Sequence, residues 1–202
     1  MDKQLLDNVM ANVEKPVRYM GNEYNIVEKD PSSVLIRYAF AFPDVYEVGM
    51  SHLGMKILYH LINEREDSYC ERVFAPWVDM EEKMRSEGIP LFSLETKDPL
   101  NVFDIIGFTL QYEMSYTNVL NMLNLAGIPL SWEERDDSHP LIMAGGPCAY
   151  NIEPLAYFFD LVVMGEGEEV IHEILDLYGQ CKKRGLNKDE FLSRAATIAG
   201  VY

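Results

Sequence analysis

The feature that most constrains the fold is a set of short, almost uninterrupted apolar runs. The clearest is Phe103–Leu110, in which Asp104 is the only charged residue. Val34–Phe42, Leu141–Ala144 and Leu161–Met164 are similar in character. A strand covered on both faces has no polar side, so its residues form a continuous apolar run instead of alternating. These segments therefore predict strands of a buried, mostly parallel sheet.

Segments with helical spacing of apolar residues separate these runs. Helices are predicted over residues 51–63, 77–87, 115–126 and from the Gly165 loop to about Arg184. Strands that alternate with helices of this length build right-handed βαβ units. We therefore expect an α/β fold with a mostly parallel sheet and helices on both faces.

Weaker signals complete the organisation of the chain. Residues 1–33 are predicted to form an N-terminal extension, residues 34–184 the α/β domain, and residues 185–202 a helix and the start of a linker. Short strands are predicted at Glu71–Ala75 and Leu91–Leu94, with Ser51 as the N-cap of the first helix of the domain.

Ligands of such sheets bind beyond the carboxyl ends of the strands. That rule selects the loops 43–51, 111–115, 145–151 and 165–169 as the candidate binding site. They carry glycines that permit close backbone approach, together with hydroxyl, aromatic and carboxylate groups. The candidate cofactor-binding residues are Tyr46, Gly49, Met50, Ser51, Thr109, Leu110, Tyr112, Gly145, Gly146, Pro147, Gly165 and Glu166.

Several familiar sites are excluded by the residues of these loops. The double glycine at 145–146 is not followed by the Gly-Lys-Ser/Thr of a phosphate-binding loop. Residues 165–170 begin like a dinucleotide-binding loop, but Val170 replaces the third glycine and three glutamates would repel a pyrophosphate. No nucleophile–base pair is recognisable, so no catalytic residue is predicted. His52, at a predicted helix start, is interpreted as a helix-end residue rather than a metal ligand.

The net charge of −16 limits the partners of the chain. Such an acidic surface repels phosphate backbones and anionic membranes, so direct nucleic-acid binding is not expected. No apolar run is long enough to span a membrane, and the charged N-terminus does not resemble a secretory signal. A cytoplasmic location is the resulting expectation.

The cysteines and histidines do not form a recognisable metal site. Cys70, Cys148 and Cys181 are far apart in the sequence, and no C-x-x-C pair is present. The four histidines also lack ligand spacing. We expect three reduced, partly buried thiols and no metal bound by this chain.

Four segments, taken in order, resemble a known family. They are Phe42-Pro-Asp-Val-Tyr-Glu-Val-Gly49, Asp104-Ile-Ile-Gly-Phe-Thr109, Ala144-Gly-Gly-Pro147 and Asp160-Leu-Val-Val-Met-Gly-Glu-Gly-Glu168. Together they are similar to the cobalamin-binding-type domain that precedes the catalytic barrel in many radical S-adenosylmethionine (SAM) enzymes. More narrowly, they resemble an uncharacterised family of such proteins. The resemblance implies a Rossmann-like fold of the flavodoxin and cobalamin-domain type.

The resemblance also implies partners and cofactors. The 4Fe-4S cluster and S-adenosylmethionine would belong to a downstream radical SAM domain, because the cluster motif C-x-x-x-C-x-x-C is absent here. We therefore expect the chain to stop before that domain and to contact it. Gly145 and Gly146 match the double glycine that lines the nucleotide tail of cobalamin, and Thr109 stands where many relatives have serine. The cobalt-ligating D-x-H-x-x-G loop is missing around His52, which leaves cobalamin binding open.

Three functions remain open on these grounds. The first is an accessory domain that presents a corrin to a radical SAM barrel. The second is a cobalamin-free interaction domain that packs on that barrel or forms a homodimer, leaving apolar surface exposed. The third is a flavin-binding domain, which the acidic residues and the lack of a hydroxyl-rich phosphate loop disfavour.

Overall fold

The core of the protein is a single sheet of parallel strands, as the apolar runs predict. A computed structural model describes residues 3–202 and contains a five-stranded sheet in the order β2-β1-β3-β4-β5. The strands are β1 (Ile36–Phe42), β2 (Ser68–Phe74), β3 (Ile105–Thr109), β4 (Leu141–Gly145) and β5 (Leu161–Val162). All their pairings are parallel. The α/β, Rossmann-like fold class is confirmed, and the strand order is the flavodoxin-like one.

Helices connect the strands and cover both faces of the sheet. The α-helices are α1 (Lys3–Ala11), α2 (Val17–Met20), α3 (Tyr46–Ser51), α4 (Leu53–Glu64), α5 (Val78–Glu87), α6 (Tyr116–Leu125), α7 (Gly167–Arg184) and α8 (Lys188–Ala195). Short 3₁₀ turns lie at Pro31–Ser33, Leu100–Val102, Glu113–Ser115, Trp132–Glu134, Pro147–Asn151 and Ala156–Phe158. Within residues 3–202, no helix has the length and apolar character needed to cross a membrane.

Each face of the sheet has its own hydrophobic core. On one face, α1, α5 and α6 pack over alternate strand residues such as Ala39, Ile106 and Phe108. On the other face, α4, α7 and α8 pack over residues such as Tyr38 and Met143. Because both faces are buried, the strands lack the polar alternation of a half-exposed sheet, which explains the continuous apolar runs.

Strands β1 and β3 are neighbours whose following helices lie on opposite faces. Helix α4 follows β1 and packs on one face, whereas α6 follows β3 and packs on the other. The chain therefore diverges beyond the carboxyl ends of these two strands and leaves a crevice there. Parallel α/β sheets bind their ligands at such a topological switch point.

Three local predictions are wrong. Residues 91–94 form no strand and make only an isolated antiparallel bridge between Phe92 and Pro99. The segment 43–51 is not an open loop, because α3 occupies its second half. Ser51 is not the N-cap of the following helix. His52 takes that role, its Nδ1 accepting the Met55 amide at 3.1 Å.

The outer edge of β2 is completed by groups from other parts of the chain. The side-chain amide of Asn63 exchanges two hydrogen bonds with the backbone of Cys70, at 3.0 and 2.9 Å. The Lys29 ammonium donates to the Ser68 carbonyl at 2.7 Å. The Arg72 amide donates to the carboxylate of Glu95, and its carbonyl accepts from the Leu94 amide. The edge strand is therefore buried and its backbone paired.

The opposite edge of the sheet is paired by residues 200–202. The backbones of Val162 and Tyr202 exchange hydrogen bonds of 2.7 and 2.8 Å, and the Met164 amide donates to the Gly200 carbonyl. Gly200 has φ +83°, and a Cβ there would lie 2.8 Å from the Met164 carbonyl oxygen. This close approach requires glycine.

The N-terminal segment contributes to the hydrophobic core on the face of the sheet that α5 and α6 cover. Leu6, Val9 and Met10 of α1 are buried in the cluster shared with α5 and α6. Residues 1 and 2 of the predicted extension lie outside the described residues. The boundaries at residues 33 and 184 stay predictions.

Two buried carboxylates form ion pairs with basic side chains inside the fold. Asp160, just before β5, lies between Arg135 and Lys188 at 3.2 and 3.1 Å. Glu71 on β2 is fully buried and pairs with Arg37 at 2.6 Å. The three cysteines are free and buried, in line with the expected reduced thiols.

Candidate binding site at the carboxyl ends of the strands

A cavity of about 420 Å³ lies in the crevice at the carboxyl ends of the strands. Its floor is formed by strand residues including Phe40, Gly107 and Met143. Its sides are the amino-terminal halves of α4 and α7, which contribute Leu58 and Val170. The cavity therefore opens where parallel sheets of this order bind their ligands.

The structure brings one group of the predicted site residues to this cavity. Five of them come from two of the four selected loops and one from the end of β3: they are Thr109, Gly145, Gly146, Pro147, Gly165 and Glu166. The register of the sheet explains why the residues after β3 and β4 lie together, because Thr109 of β3 pairs directly with Gly145 of β4. Residues at the carboxyl ends of neighbouring parallel strands lie at the same edge of the sheet.

The two adjacent glycines have different roles. Gly146 has φ +96°, and a Cβ there would lie 2.9 Å from the Leu110 carbonyl oxygen, so this turn requires glycine. Gly145 ends a strand, and the atoms nearest to a Cβ there belong to Val163, at 3.8 Å and beyond. A side chain at position 145 would therefore project into the cavity.

The predicted residues of the first loop lie elsewhere. Tyr46, Gly49, Met50 and Ser51 are in α3, which turns them away from the cavity. The Tyr46 ring packs edge-on against Phe74, and its hydroxyl donates to Glu23 at 2.8 Å. Burial and this carboxylate raise the pKa of Tyr46 to about 12.

The other three residues of that group also have structural partners. A Cβ on Gly49 would collide with the Phe74 ring at 2.3 Å, so glycine is needed for packing of the helix. The Met50 sulfur accepts from Arg72 at 3.2 Å. The Ser51 hydroxyl donates to the Val48 carbonyl of its own helix at 2.7 Å.

Leu110 and Tyr112 also lie outside the cavity lining. Leu110 is fully buried in the core on the α6 side of the sheet. The Tyr112 hydroxyl donates to the Asp44 carboxylate, which raises the pKa of the tyrosine. This contact joins the loop after β3 to the loop after β1.

His52 lines the cavity but is bound as a helix cap. Because its Nδ1 accepts the Met55 amide, its Nε2 carries the proton when the ring is neutral. A metal-ligating histidine normally donates its other ring N–H to an acceptor. His52 does the reverse, which favours the helix-end interpretation over cobalt ligation.

Tyr38 is a cavity residue that sequence reasoning did not identify. Its side chain is 3% exposed and lies over Gly107 of the neighbouring strand. A Cβ on Gly107 would lie 1.7 Å from the Tyr38 oxygen, so the tyrosine fits only beside a glycine. A glycine inside a strand run is a known sign of such close approach.

The charge of the lining is acidic. Glu166 and Glu168, from the loop before α7 and its first turn, lie at the cavity, and none of the lining residues within 3–202 is a lysine or an arginine. The Gln111 amide donates to the Thr109 hydroxyl at 2.6 Å. The lining thus offers hydroxyl and imidazole donors on an apolar floor and suits a ligand that is uncharged where it meets the two glutamates. Among residues 3–202, no cluster of ligand-type side chains suitable for a metal ion is found.

A second cavity of about 380 Å³ lies at the amino ends of the strands. It is lined by residues such as Asp104, Lys182, His139 and Lys188, none of which the sequence selected. Lys182 pairs with Asp104, and Lys188 pairs with Asp160. The two lysines of this cavity are therefore already paired with carboxylates. The cavity lies at the opposite end of the strands from the glycine-rich loops.

Comparisons with known proteins support the resemblance to radical SAM proteins. A family model described as "Radical SAM proteins, N-terminal" matches residues 54–202. An uncharacterized protein of Methanocaldococcus jannaschii is 27% identical over 159 residues, covering 75% of this chain and 30% of that protein. The chain thus spans less than a third of that relative's length. No solved structure matches the chain.

Proposed function

Because this chain belongs to the family of N-terminal domains of radical SAM proteins, we propose that it is an accessory domain that binds a cobalamin-type cofactor. The observation that carries the proposal is the cavity at the carboxyl ends of the strands. The cofactor would enter between α4 and α7, with its buried part over the strand ends.

The residues at the cavity fit a large, nearly neutral ligand. Gly145 leaves open the space that a Cβ would fill, and Gly146 lets the backbone turn sharply. The Tyr38 hydroxyl lacks a partner within residues 3–202, and Thr109 adds a second hydroxyl at the strand end. These groups would hold the cofactor through hydrogen bonds and contact with bare backbone.

Within residues 3–202, no group of side chains suited to a metal ion is found. His52 is the histidine at the cavity, and its capping bond with Met55 favours a protonated Nε2. We therefore propose that these residues would hold the cofactor without supplying a ligand to its cobalt. When bound, a corrin supplies methyl-transfer or electron-transfer chemistry, while this chain's residues bind it and orient it.

The partner of this domain is proposed to be the radical SAM domain of the same protein. This chain covers only 30% of its relative, so a further domain of substantial size fits the remaining length. The 4Fe-4S cluster and S-adenosylmethionine would belong there, because residues 3–202 contain no ligand cluster suited to a metal. Direct nucleic-acid binding is not proposed, given the acidic surface.

Equilibrium dialysis against hydroxocobalamin tests the proposal. The wild-type chain is expected to retain the corrin, and Gly145→Leu to reduce retention at least tenfold, because the new side chain fills the cavity. Ser86→Leu places the same side chain on the exposed surface of α5 and serves as the control. Circular dichroism and thermal melting of all three proteins establish that each is folded.

Two results would contradict cobalamin binding. One is no retention by folded wild-type protein at hundreds of micromolar corrin. The other is equal retention by wild type and Gly145→Leu, which would put the corrin elsewhere. Flavin mononucleotide is included in parallel, and its retention in place of the corrin would favour a flavin-binding domain.

The second candidate function is a cobalamin-free interaction domain. It is favoured by exposed apolar side chains around the same end of the sheet, including Leu53 (69%), Met114 (86%) and Tyr150 (73%). Exposed apolar side chains gathered at one end of a domain would fit a surface that another domain or a second copy covers. Light scattering during gel filtration gives the oligomeric state. A stable dimer without corrin retention would support this function.

A further inference from the structure

We propose that the second cavity, at the amino ends of the strands, is a binding site for a small organic carboxylate whose charge is met by Lys188. This cavity lies at the opposite end of the sheet from the one proposed for the cofactor. Binding of a carboxylate here would therefore not depend on cobalamin binding there.

The first observation is a buried cluster with two cations and only one carboxylate. Asp160 is 1% exposed and lies 3.2 Å from Arg135, which is fully buried. It also lies 3.1 Å from Lys188, whose side chain is 12% exposed. Together the three side chains carry one excess positive charge. Because a charge held away from water is costly without a partner, one further anion beside Lys188 would stabilise the cluster.

The second observation is that the ammonium of Lys188 has donors to spare. Lys188 lines the cavity, and its Nζ is shielded from solvent yet makes no hydrogen bond within residues 3–202. The contact with Asp160 is short, but its angle is not that of a hydrogen bond. An ammonium has three donors and sits on a flexible four-carbon stem. Lys188 can therefore turn towards a ligand in the cavity while it stays near Asp160.

Pairing with Asp160 does not by itself account for this lysine. The carboxylate already has Arg135 as a counter-ion, and its second oxygen accepts the Ile142 amide at 2.7 Å. Burial lowers the pKa of Lys188 despite the carboxylate, and the charge of Arg135 acts in the same direction. A methionine of similar length would avoid burying a second cation. A bound carboxylate would offset the cost of that cation.

The lining favours a singly charged ligand with an apolar body. Asp104 and Asp137 also line the cavity, and they would repel the second negative charge of a phosphate. A carboxylate carries the single charge by which the cluster is unbalanced. The cavity of about 380 Å³ is also bordered by Leu141, Leu186 and Phe191, which suit an aliphatic chain or an aromatic ring.

The test compares two probes of similar shape and different charge. Benzoate carries a carboxylate, whereas benzamide is neutral. Wild type is expected to bind benzoate about tenfold more tightly than benzamide, as one charge-assisted hydrogen bond in a shielded site allows. Dissociation constants are measured by ligand-detected NMR at millimolar probe. Amide chemical-shift changes caused by benzoate are expected at residues 185–188 and not at residues 145–147.

Three lysine variants test which ammonium is responsible. Lys188→Met is expected to abolish the preference for benzoate and to fold, because Asp160 keeps Arg135 as its counter-ion. Lys183→Met is the matched control, since this exposed lysine of α7 does not line the cavity, and it is expected to keep the preference. Lys182 does line the cavity but is 40% exposed, so Lys182→Met is expected to weaken benzoate binding only about threefold. Circular dichroism establishes that each variant is folded.

Several outcomes would overturn the inference. They are equal binding of the two probes by folded wild type, no binding of benzoate at millimolar concentration, and a benzoate preference that persists in folded Lys188→Met. Shift changes confined to the cavity at the carboxyl ends of the strands would also overturn it, and this readout does not depend on any variant. Inorganic phosphate bound more tightly than benzoate would overturn the choice of a carboxylate. Retention of hydroxocobalamin is expected to be equal in wild type and Lys188→Met, so the two proposals fail separately.

Discussion

Replacing Asp160 with asparagine is expected to lower the free energy of unfolding by about 3–5 kcal/mol. The carboxylate is 1% exposed and lies between two cations, Arg135 at 3.2 Å and Lys188 at 3.1 Å. It also accepts the Ile142 amide at 2.7 Å. Without its charge, the buried Arg135 would lose its counter-ion, and Lys188, which lines the second cavity, would lose the carboxylate with which it pairs.

Chemical denaturation followed by circular dichroism measures this loss. Asp7→Asn, on the exposed side of α1, removes the same charge without a buried partner and is expected to change stability by less than about 0.5 kcal/mol. Adding Lys188→Met to Asp160→Asn removes one uncompensated cation and is expected to recover part of the loss. Equal stability of wild type and Asp160→Asn would show that the pair does not hold α8 against the sheet.

Replacing Glu71 with alanine is expected to cost about 3 kcal/mol of stability. The fully buried carboxylate accepts from Arg37 at 2.6 Å, from the Ser93 hydroxyl at 2.7 Å and from the Thr96 amide at 3.1 Å. Its removal leaves these donors short of an acceptor. Arg37 keeps Asp98 at 3.0 Å, so the loss should be smaller than at Asp160.

The same denaturation assay tests Glu71, with Glu71→Gln as the graded variant. Glutamine keeps an acceptor oxygen but not the charge, so its effect should lie between wild type and alanine. Glu82→Gln on the exposed face of α5 is the control for loss of a glutamate charge. A Glu71→Ala protein as stable as wild type would mean that the Arg37 network contributes little.

The fold was predictable because burial on both faces leaves a clear pattern in the strands. Residues 103–110 have no polar alternation, and β3 indeed lies in the middle of the sheet between β1 and β4. The pattern misleads where an apolar segment is buried without being part of the sheet. Residues 91–94 are apolar enough for a strand, yet their backbone bonds go to Leu125, Asp98 and Arg72 instead of a neighbouring strand along a ladder.

The candidate site was predictable where glycine or strand register determines it. Thr109, Gly145 and Gly146 meet because parallel strands end at one edge, a rule that needs no knowledge of side-chain packing. The residues of α3 were misplaced for the opposite reason. The Tyr46 ring packs against Phe74 of β2, and the Met50 sulfur accepts a hydrogen bond from Arg72 of the same strand. Nothing in the sequence near α3 indicates these contacts.

Tyr38 shows what sequence reasoning could have used and did not. A glycine within a buried strand indicates that a neighbouring group approaches the backbone closely. Gly107 was visible in the run of residues 103–110, but the tyrosine above it comes from β1, almost 70 residues earlier. The register between the two strands is required to connect them.

Backbone groups along both borders of the sheet are hydrogen-bonded to other parts of the chain, and this limits how the protein can associate with other chains. Open strand edges are the usual templates for amyloid-like growth and for recognition by strand addition. Here the side chains of Asn63 and Lys29 hydrogen-bond to the backbone of β2 at one border. The backbone of residues 200–202 hydrogen-bonds to the strand at the other border. An extended peptide could add a strand only after displacing these groups. Association is therefore directed to the helical faces and to the crevice end of the domain.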